Sequence, residues 1–182
     1  MDTEQTGQSR PWLAVGQEIA ALLDRIDAKT FFRIVQAFDD ETRCWFFSGQ
    51  GRSGLAAQMA AMRLMHVGRN VHFVGEVTAP SIRKGDGLVV ISGSGETPVS
   101  VNFAKIAKAE GAKVILFTRA AKSTLAALAD AVLLVPVENT QQFGGSLFEQ
   151  SSLILFDAII LEMARRIPDA HQRMLRRHTN LQ

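Results

Sequence analysis

Apolar residues along this chain come in two rhythms that alternate. Short, mostly apolar runs occur at Cys44-Trp45-Phe46-Phe47-Ser48, Val71–Val74, Leu88–Ser92, Val114–Thr118 and Ala131–Val135. None alternates strictly between polar and apolar, so each reads as a strand buried on both faces. Between most of them lie stretches of helical period: 52–67, 98–110 and 123–128. The first has Leu55, Met59, Met62 and Leu64 and stops at Gly68. The second has Thr97 placed to cap it, Pro98 at its first position, Val99, Phe103, Ile106 and Ala107 on one face, and Gly111 as its stop. Buried strands separated by helices predict a parallel sheet covered on both sides, a three-layer αβα sandwich. Five strands fit the flavodoxin-like order 2-1-3-4-5, which binds ligands at the carboxyl ends near the switch between strands 1 and 3.

The flanks have their own patterns. Residues 1–10 are polar and read as disordered. Trp12, Val15, Ile19, Leu22, Leu23 and Ile26 then recur at helical spacing, and a second short helix follows around Thr30–Phe38. Residues 1–42 therefore form a tail and two helices ahead of the sheet domain, 43–166. After Pro136 the chain turns polar through Gly144-Gly145. A long helix, roughly Leu147–Arg166, is apolar nearly all round. It fits either a subunit interface or a central core helix. Pro168 ends it, and 167–182 is a basic tail.

Two loops at the predicted carboxyl edge carry the chemistry. Strand 3 runs into Ser92-Gly93-Ser94-Gly95-Glu96-Thr97 and then a helix N-terminus. Free backbone N–H groups, the positive end of the helix dipole and three hydroxyls converge there, and a phosphate is the natural occupant. Strand 1 runs into Gly49-Gln50-Gly51-Arg52-Ser53-Gly54, a match to the dinucleotide fingerprint G-x-G-x-x-G. Glu76 even stands where the ribose-binding acid would be. A second phosphate loop and a length of 182 residues, with no room for a substrate domain, weigh against a nicotinamide enzyme. Both loops converging on one phosphorylated small molecule is the simpler reading.

Composition narrows the class without naming it. The net charge of +2 and 21% charged residues call for no nucleic acid. No apolar run is long enough to span a bilayer, the polar start is no signal peptide, and the single Cys44 reads as a core thiol of a cytoplasmic protein. No Cys/His or carboxylate cluster has metal spacing, and no cofactor is implied. Glu149, at the start of the long helix, is the best candidate acid or base. Ser146-x-x-Glu149 is also a capping box, which would turn the carboxylate back on its own helix. His66 sits in the last turn of the helix after the first loop, where it can simply answer the dipole. His72 reads as structural, and His171 and His178 lie in the tail.

Ser48-Gly-Gln-Gly-Arg-Ser53 followed by Ser92-Gly-Ser-Gly-Glu-Thr97 resembles the sugar isomerase (SIS) domain, a phosphosugar-binding α/β fold. Within it the chain is similar to the 6-phospho-3-hexuloisomerase family. The matching pieces are Gly51–Gly54, Ala61–Gly68 with Arg-Leu-Met-His66, Val74-Gly-Glu76, Ile91–Thr97, Gly145-Ser-Leu-Phe-Glu-Gln150 and the closing Arg177-His-Thr-Asn-Leu181. They span roughly residues 43–182. Gln50, Phe143 and Gln182 depart from the family pattern, where Ala, Pro and an acid are usual. The Phe143 departure bears on the loop before Glu149.

The resemblance implies interconversion of D-arabino-hex-3-ulose 6-phosphate and fructose 6-phosphate, the second step of formaldehyde fixation by the ribulose monophosphate route. It also implies a homotetramer with sites at subunit boundaries. Glu149 would be the base, with His66 or His178 opening the sugar ring. Ser48, Gly49, Gly51, Arg52, Ser53, Ser92, Ser94, Gly95 and Thr97 would hold phosphate and hydroxyls. A non-catalytic sugar-phosphate sensor, or an isomerase of another phosphosugar, is the alternative reading.

Overall fold

The structure, a computed structural model, describes residues 10–181. Two helices, α1 (Pro11–Leu23) and α2 (Ala28–Ala37), precede β1 (Cys44–Gly49), α3 (Arg52–His66), β2 (Asn70–Phe73) and β3 (Gly87–Ile91). Then come α4 (Pro98–Ala109), β4 (Lys113–Thr118), α5 (Thr124–Leu128), β5 (Ala131–Leu134), α6 (Ser146–Ala164) and α7 (Ala170–Arg177). The five strands pair in the order β2-β1-β3-β4-β5, all parallel. The predicted α/β sandwich and strand order are thus observed. The disorder read for residues 1–10 falls outside the described residues except at Arg10, which holds the N-cap position of α1.

The sheet explains why its strands show no polar alternation. Along β1, Trp45 and Phe47 face one core while Phe46 faces the other. Along β3, Val89 and Ile91 share the first core, and Leu88 and Val90 the second. The first core is covered by α1, α2, α3 and α6, and the second by α4 and α5. The three central strands are covered on both faces, so Trp45–Phe47, Leu88–Ile91 and Val114–Phe117 are apolar without a break, while the edge strands β2 and β5 are only partly buried.

Helix α6 is a core helix within this chain. Its Phe156 is fully buried, with ring centroids 5.4 Å from Phe47, 5.6 Å from Phe38 and 5.8 Å from Phe117. Burying such a ring contributes about 2–3 kcal/mol. Leu147, Leu155, Ile159, Ile160 and Met163 are buried with it, whereas Ile154 and Leu161 stay exposed. Its apolar girth follows from packing against α1, α2 and α3 together.

Three local expectations need correction. Thr97 holds the N-cap position of α4, yet its side chain makes no capping bond. Cys44 is only half-buried, and burial followed by the Asp86 charge pushes its thiol up to about 11. The basic tail forms α7, which docks on α3. No helix among the described residues is long and apolar enough to cross a membrane.

Candidate active site

The two glycine loops meet at the switch point. Strand β1 pairs with β2 on one side and β3 on the other, with Ser48 beside Val90 and Gly49 beside Ile91. The chain leaves β1 for α3 on one face of the sheet and leaves β3 for α4 on the opposite face. A crevice therefore opens between the two departures, with both helix N-termini at its walls. The first loop is glycine-rich for backbone reasons. A Cβ on Gly49 would lie 2.6 Å from the Ser53 carbonyl oxygen, and one on Gly54 would lie 2.8 Å from the Gly49 carbonyl oxygen. Gly51 has φ +56°, which any side chain would strain. The dinucleotide-like spacing is thus the signature of a strand packed hard against its helix.

The second loop is held by its own hydroxyls. Ser92 is buried and its Oγ accepts from the Gly95 N–H at 3.3 Å, while Ser94 Oγ accepts from the Glu96 N–H at 3.2 Å. Glu96 is tied down by both oxygens. They accept from the Thr124 N–H and hydroxyl at 2.7 Å each, and these bonds hold its carboxyl below the usual range. Loop and α5 are thereby locked together, a link through Thr124 that sequence reading missed. Arg119 was also missed. It follows β4 at the carboxyl edge, its N–H donates to the Gly93 carbonyl, and a Cβ on Gly93 would stand 3.7 Å from its Nε. The signal was available in principle, because the first residue past each parallel strand lies at the ligand-facing edge.

Glu149 enters this crevice from the third side. Its carboxylate forms an ion pair with the Arg52 guanidinium at the N-terminus of α3. The Glu149 side chain is 14% exposed, against 62% for Arg52. The capping box does not form: Gly145 is the N-cap, and Ser146 Oγ donates instead to the Phe143 carbonyl at 2.8 Å. Gly145 is what lets the carboxylate sit where it does, since a Cβ there would be 2.9 Å from Glu149 Oε1. Gly93 and Phe148 pack together at 3.4 Å by the same measure, which draws the second loop against the start of α6. Phe143, the departure from the family pattern, is exposed and leaves these contacts intact.

The histidines gather elsewhere. His66 and His178 stack with centroids 5.4 Å apart and planes 12° apart. They lie at the far end of α3, about 21 Å along the helix from Arg52. His66 is buried, and burial first, then the Arg63 and His178 charges, lower its pKa. Arg177 of α7 lies over Gly68, 3.8 Å from where a Cβ would be. His72 is half-buried and stacks on Phe46 at 5.5 Å, and His171 is exposed. One chain therefore joins Glu149 to the loops, and His66 to His178, but does not join the two pairs. Among the described residues no three His, Cys, Asp or Glu side chains are grouped to hold a metal ion.

Comparison with known proteins is consistent along most of the chain. The SIS domain matches residues 41–161. The 3-hexulose-6-phosphate isomerase of Mycobacterium gastri is 41% identical over 145 residues, which cover 75% of this chain and 73% of that protein. The Bacillus subtilis protein of the same name is 37% identical, covering 75% and 79%. A Methanococcus jannaschii crystal structure, for which a function of 3-hexulose-6-phosphate isomerase was inferred, superposes with a TM-score of 0.84 at 30% identity. It covers 94% of this chain and 99% of that one.

Proposed function

We propose that this chain, which belongs to the SIS domain family, is a 6-phospho-3-hexuloisomerase acting in the cytoplasm in the ribulose monophosphate route. The observation that carries the reading is the Glu149 carboxylate, held by Arg52 at the mouth of a crevice built from two anion-binding loops. Relatives about 40% identical carry the corresponding name and support the substrate.

Moving a carbonyl from C3 to C2 requires a proton to leave C2 and one to arrive at C3, through a cis-enediolate. One carboxylate can perform both transfers. Glu149 takes that role: the Arg52 guanidinium engages only its Oε2, which leaves Oε1 for a substrate proton, whereas both oxygens of Glu96 are taken up by Thr124. The phosphate binds at the Ser92–Thr97 loop and the α4 N-terminus, with Ser48, Gly49, Gly51, Ser53 and the Arg52 and Arg119 cations around it. Because the phosphate is remote from C2 and C3, its binding energy serves to orient them.

Fructose 6-phosphate is a furanose and must open, whereas the 3-ketose phosphate is largely open-chain. His66 or His178 moves the proton for that opening. Since both stand a helix length from Glu149, they serve the site of a second copy. The exposed row Leu55, Met59 and Met62 on α3 offers the apolar surface for such an assembly, read as a tetramer.

The test couples ribulose 5-phosphate, formaldehyde and a hexulose-phosphate synthase to this protein and follows fructose 6-phosphate through a reductase. Rapid product, with kcat falling about 100- to 10,000-fold in Glu149→Gln, supports the reading. No product, with fructose 6-phosphate still raising the melting temperature, points to the sensor or to an isomerase of another phosphosugar. Full turnover by Glu149→Gln removes Glu149 as the base.

A further inference from the structure

Residues 135–145 run from β5 to α6 without regular structure and deliver Glu149 to the crevice. A connection this long, left to itself, samples many conformations. It is held at one place by a residue outside the span that matches the SIS domain. Glu18, on α1, accepts the Gln141 backbone N–H on Oε1 at 2.7 Å. Its Oε2 accepts the Thr140 hydroxyl at 2.7 Å and the Gln142 side-chain amide at 2.9 Å. The Gln142 N–H closes the turn by donating to Thr140 Oγ1 at 3.0 Å. Seven residues further on, just past the end of α1, Arg25 pairs with Glu138 in the same connection.

We propose that Glu18 is a positioning residue for Glu149, acting through the clamp on Thr140–Gln142. The contacts close a ring. Helix α1 packs on α6 through Ile19, Leu22 and Leu23, so Glu18 is carried by a helix fixed to the very helix that bears Glu149. From Glu18 the ring passes to Gln142, and only Phe143–Gly145 remain between the clamp and α6. Gly144 takes φ +62°, and the Phe143 carbonyl accepts from Ser146 Oγ. Gly145 then lies directly beneath the Glu149 carboxylate. With Gln141–Gln142 released, those three residues lose their fixed end and the floor under Glu149 is free to move. The three hydrogen bonds also hold the Glu18 carboxyl below its usual range, as a carboxylate used purely as acceptor should be.

This inference rests on Glu149 being the base, and the experiment separates the two. Steady-state kinetics of the full chain are measured for Glu18→Ala and Glu18→Gln, alone and combined with Glu149→Gln, beside hydrogen exchange of residues 138–146. Glu18→Ala is expected to lower kcat between about tenfold and a hundredfold, since roughly 1 Å of misplacement has that effect, with KM and melting temperature nearly unchanged. Glu18→Gln should recover most of the rate, because the Thr140 hydroxyl and Gln142 amide can each reverse to meet an amide. In the Glu149→Gln background, Glu18→Ala should cost nothing more, and exchange at 140–146 should quicken. Wild-type kcat in Glu18→Ala beside a collapsed Glu149→Gln overturns the proposal, as does an equal loss in both backgrounds. If Glu149→Gln itself keeps its turnover, the base assignment fails instead. The exchange rates alone then decide whether Glu18 holds the loop.

Discussion

Gly145→Ala isolates the position of the Glu149 carboxylate from its chemistry. The added methyl would lie 2.9 Å from Oε1, 3.4 Å from Cδ and 4.0 Å from Oε2, with no other atom closer. Ordinary contact starts at 3.4 Å, so Oε1 must retreat by about 0.5 Å. The atom displaced is the end of a flexible side chain, and the backbone at φ −93°, ψ 9° accepts alanine. Folding should therefore be spared. Losing glycine at an N-cap costs a few tenths of a kcal/mol to about 1 kcal/mol, and the lower entropy of the unfolded chain returns about 0.4–1 kcal/mol. The melting temperature should barely move. Catalysis should not be spared: if about 1 Å costs roughly a hundredfold, half of that costs about tenfold in kcat. KM should hold, because the 92–97 loop is untouched. Initial rates at saturating 3-ketose phosphate, beside a thermal melt, give both numbers. Wild-type kcat in a well-folded Gly145→Ala would refute the reasoning that this carboxylate's placement limits the rate. A large fall in melting temperature would assign Gly145 to folding rather than to the site.

His66 yields the remaining predictions. Its folded pKa lies below the unfolded 6.5, so the unfolded chain binds the extra proton first and stability is lost as pH falls through 6.5 towards the folded value. Melting temperature should drop between pH 7.5 and 5.5 and drop less in His66→Asn. The lowered carboxyls of Glu18, Asp27, Asp40, Glu96 and Asp130 act only nearer their own, more acid range. An equal slope in the variant would move the effect to another group. The same variant tests ring opening, because only one of the two sugars must open. His66→Asn should slow initial rates from fructose 6-phosphate and leave those from the 3-ketose phosphate nearly unchanged, and equal loss in both directions would discard the role.

The elements were legible because their signals are local. Each strand announced itself by a short, mostly apolar run, buried on both faces in β1, β3 and β4 and partly buried in the edge strands β2 and β5, and Pro98 and Gly111 punctuated α4 where expected. The tail helix α7 was not, since Met174 and Leu175 are too few apolar residues to show a period. It docks through Met174 on the core, Arg177 lying over Gly68 and His178 stacked on His66, partners more than a hundred positions away in the chain.

The site divides along the same line. A glutamate three residues after a serine at a helix start has two low-energy uses, and spacing is identical for both. What decides between them is Arg52, 97 residues earlier, reaching the carboxylate first. Glu18 meets Thr140, 122 residues later, by polar contacts that leave no periodic trace. A buried apolar stripe must recur along its own element to cover a core, so it is written repeatedly in the sequence. A polar contact that aims one carboxylate needs a single residue at each end, and only the folded chain shows which two have met.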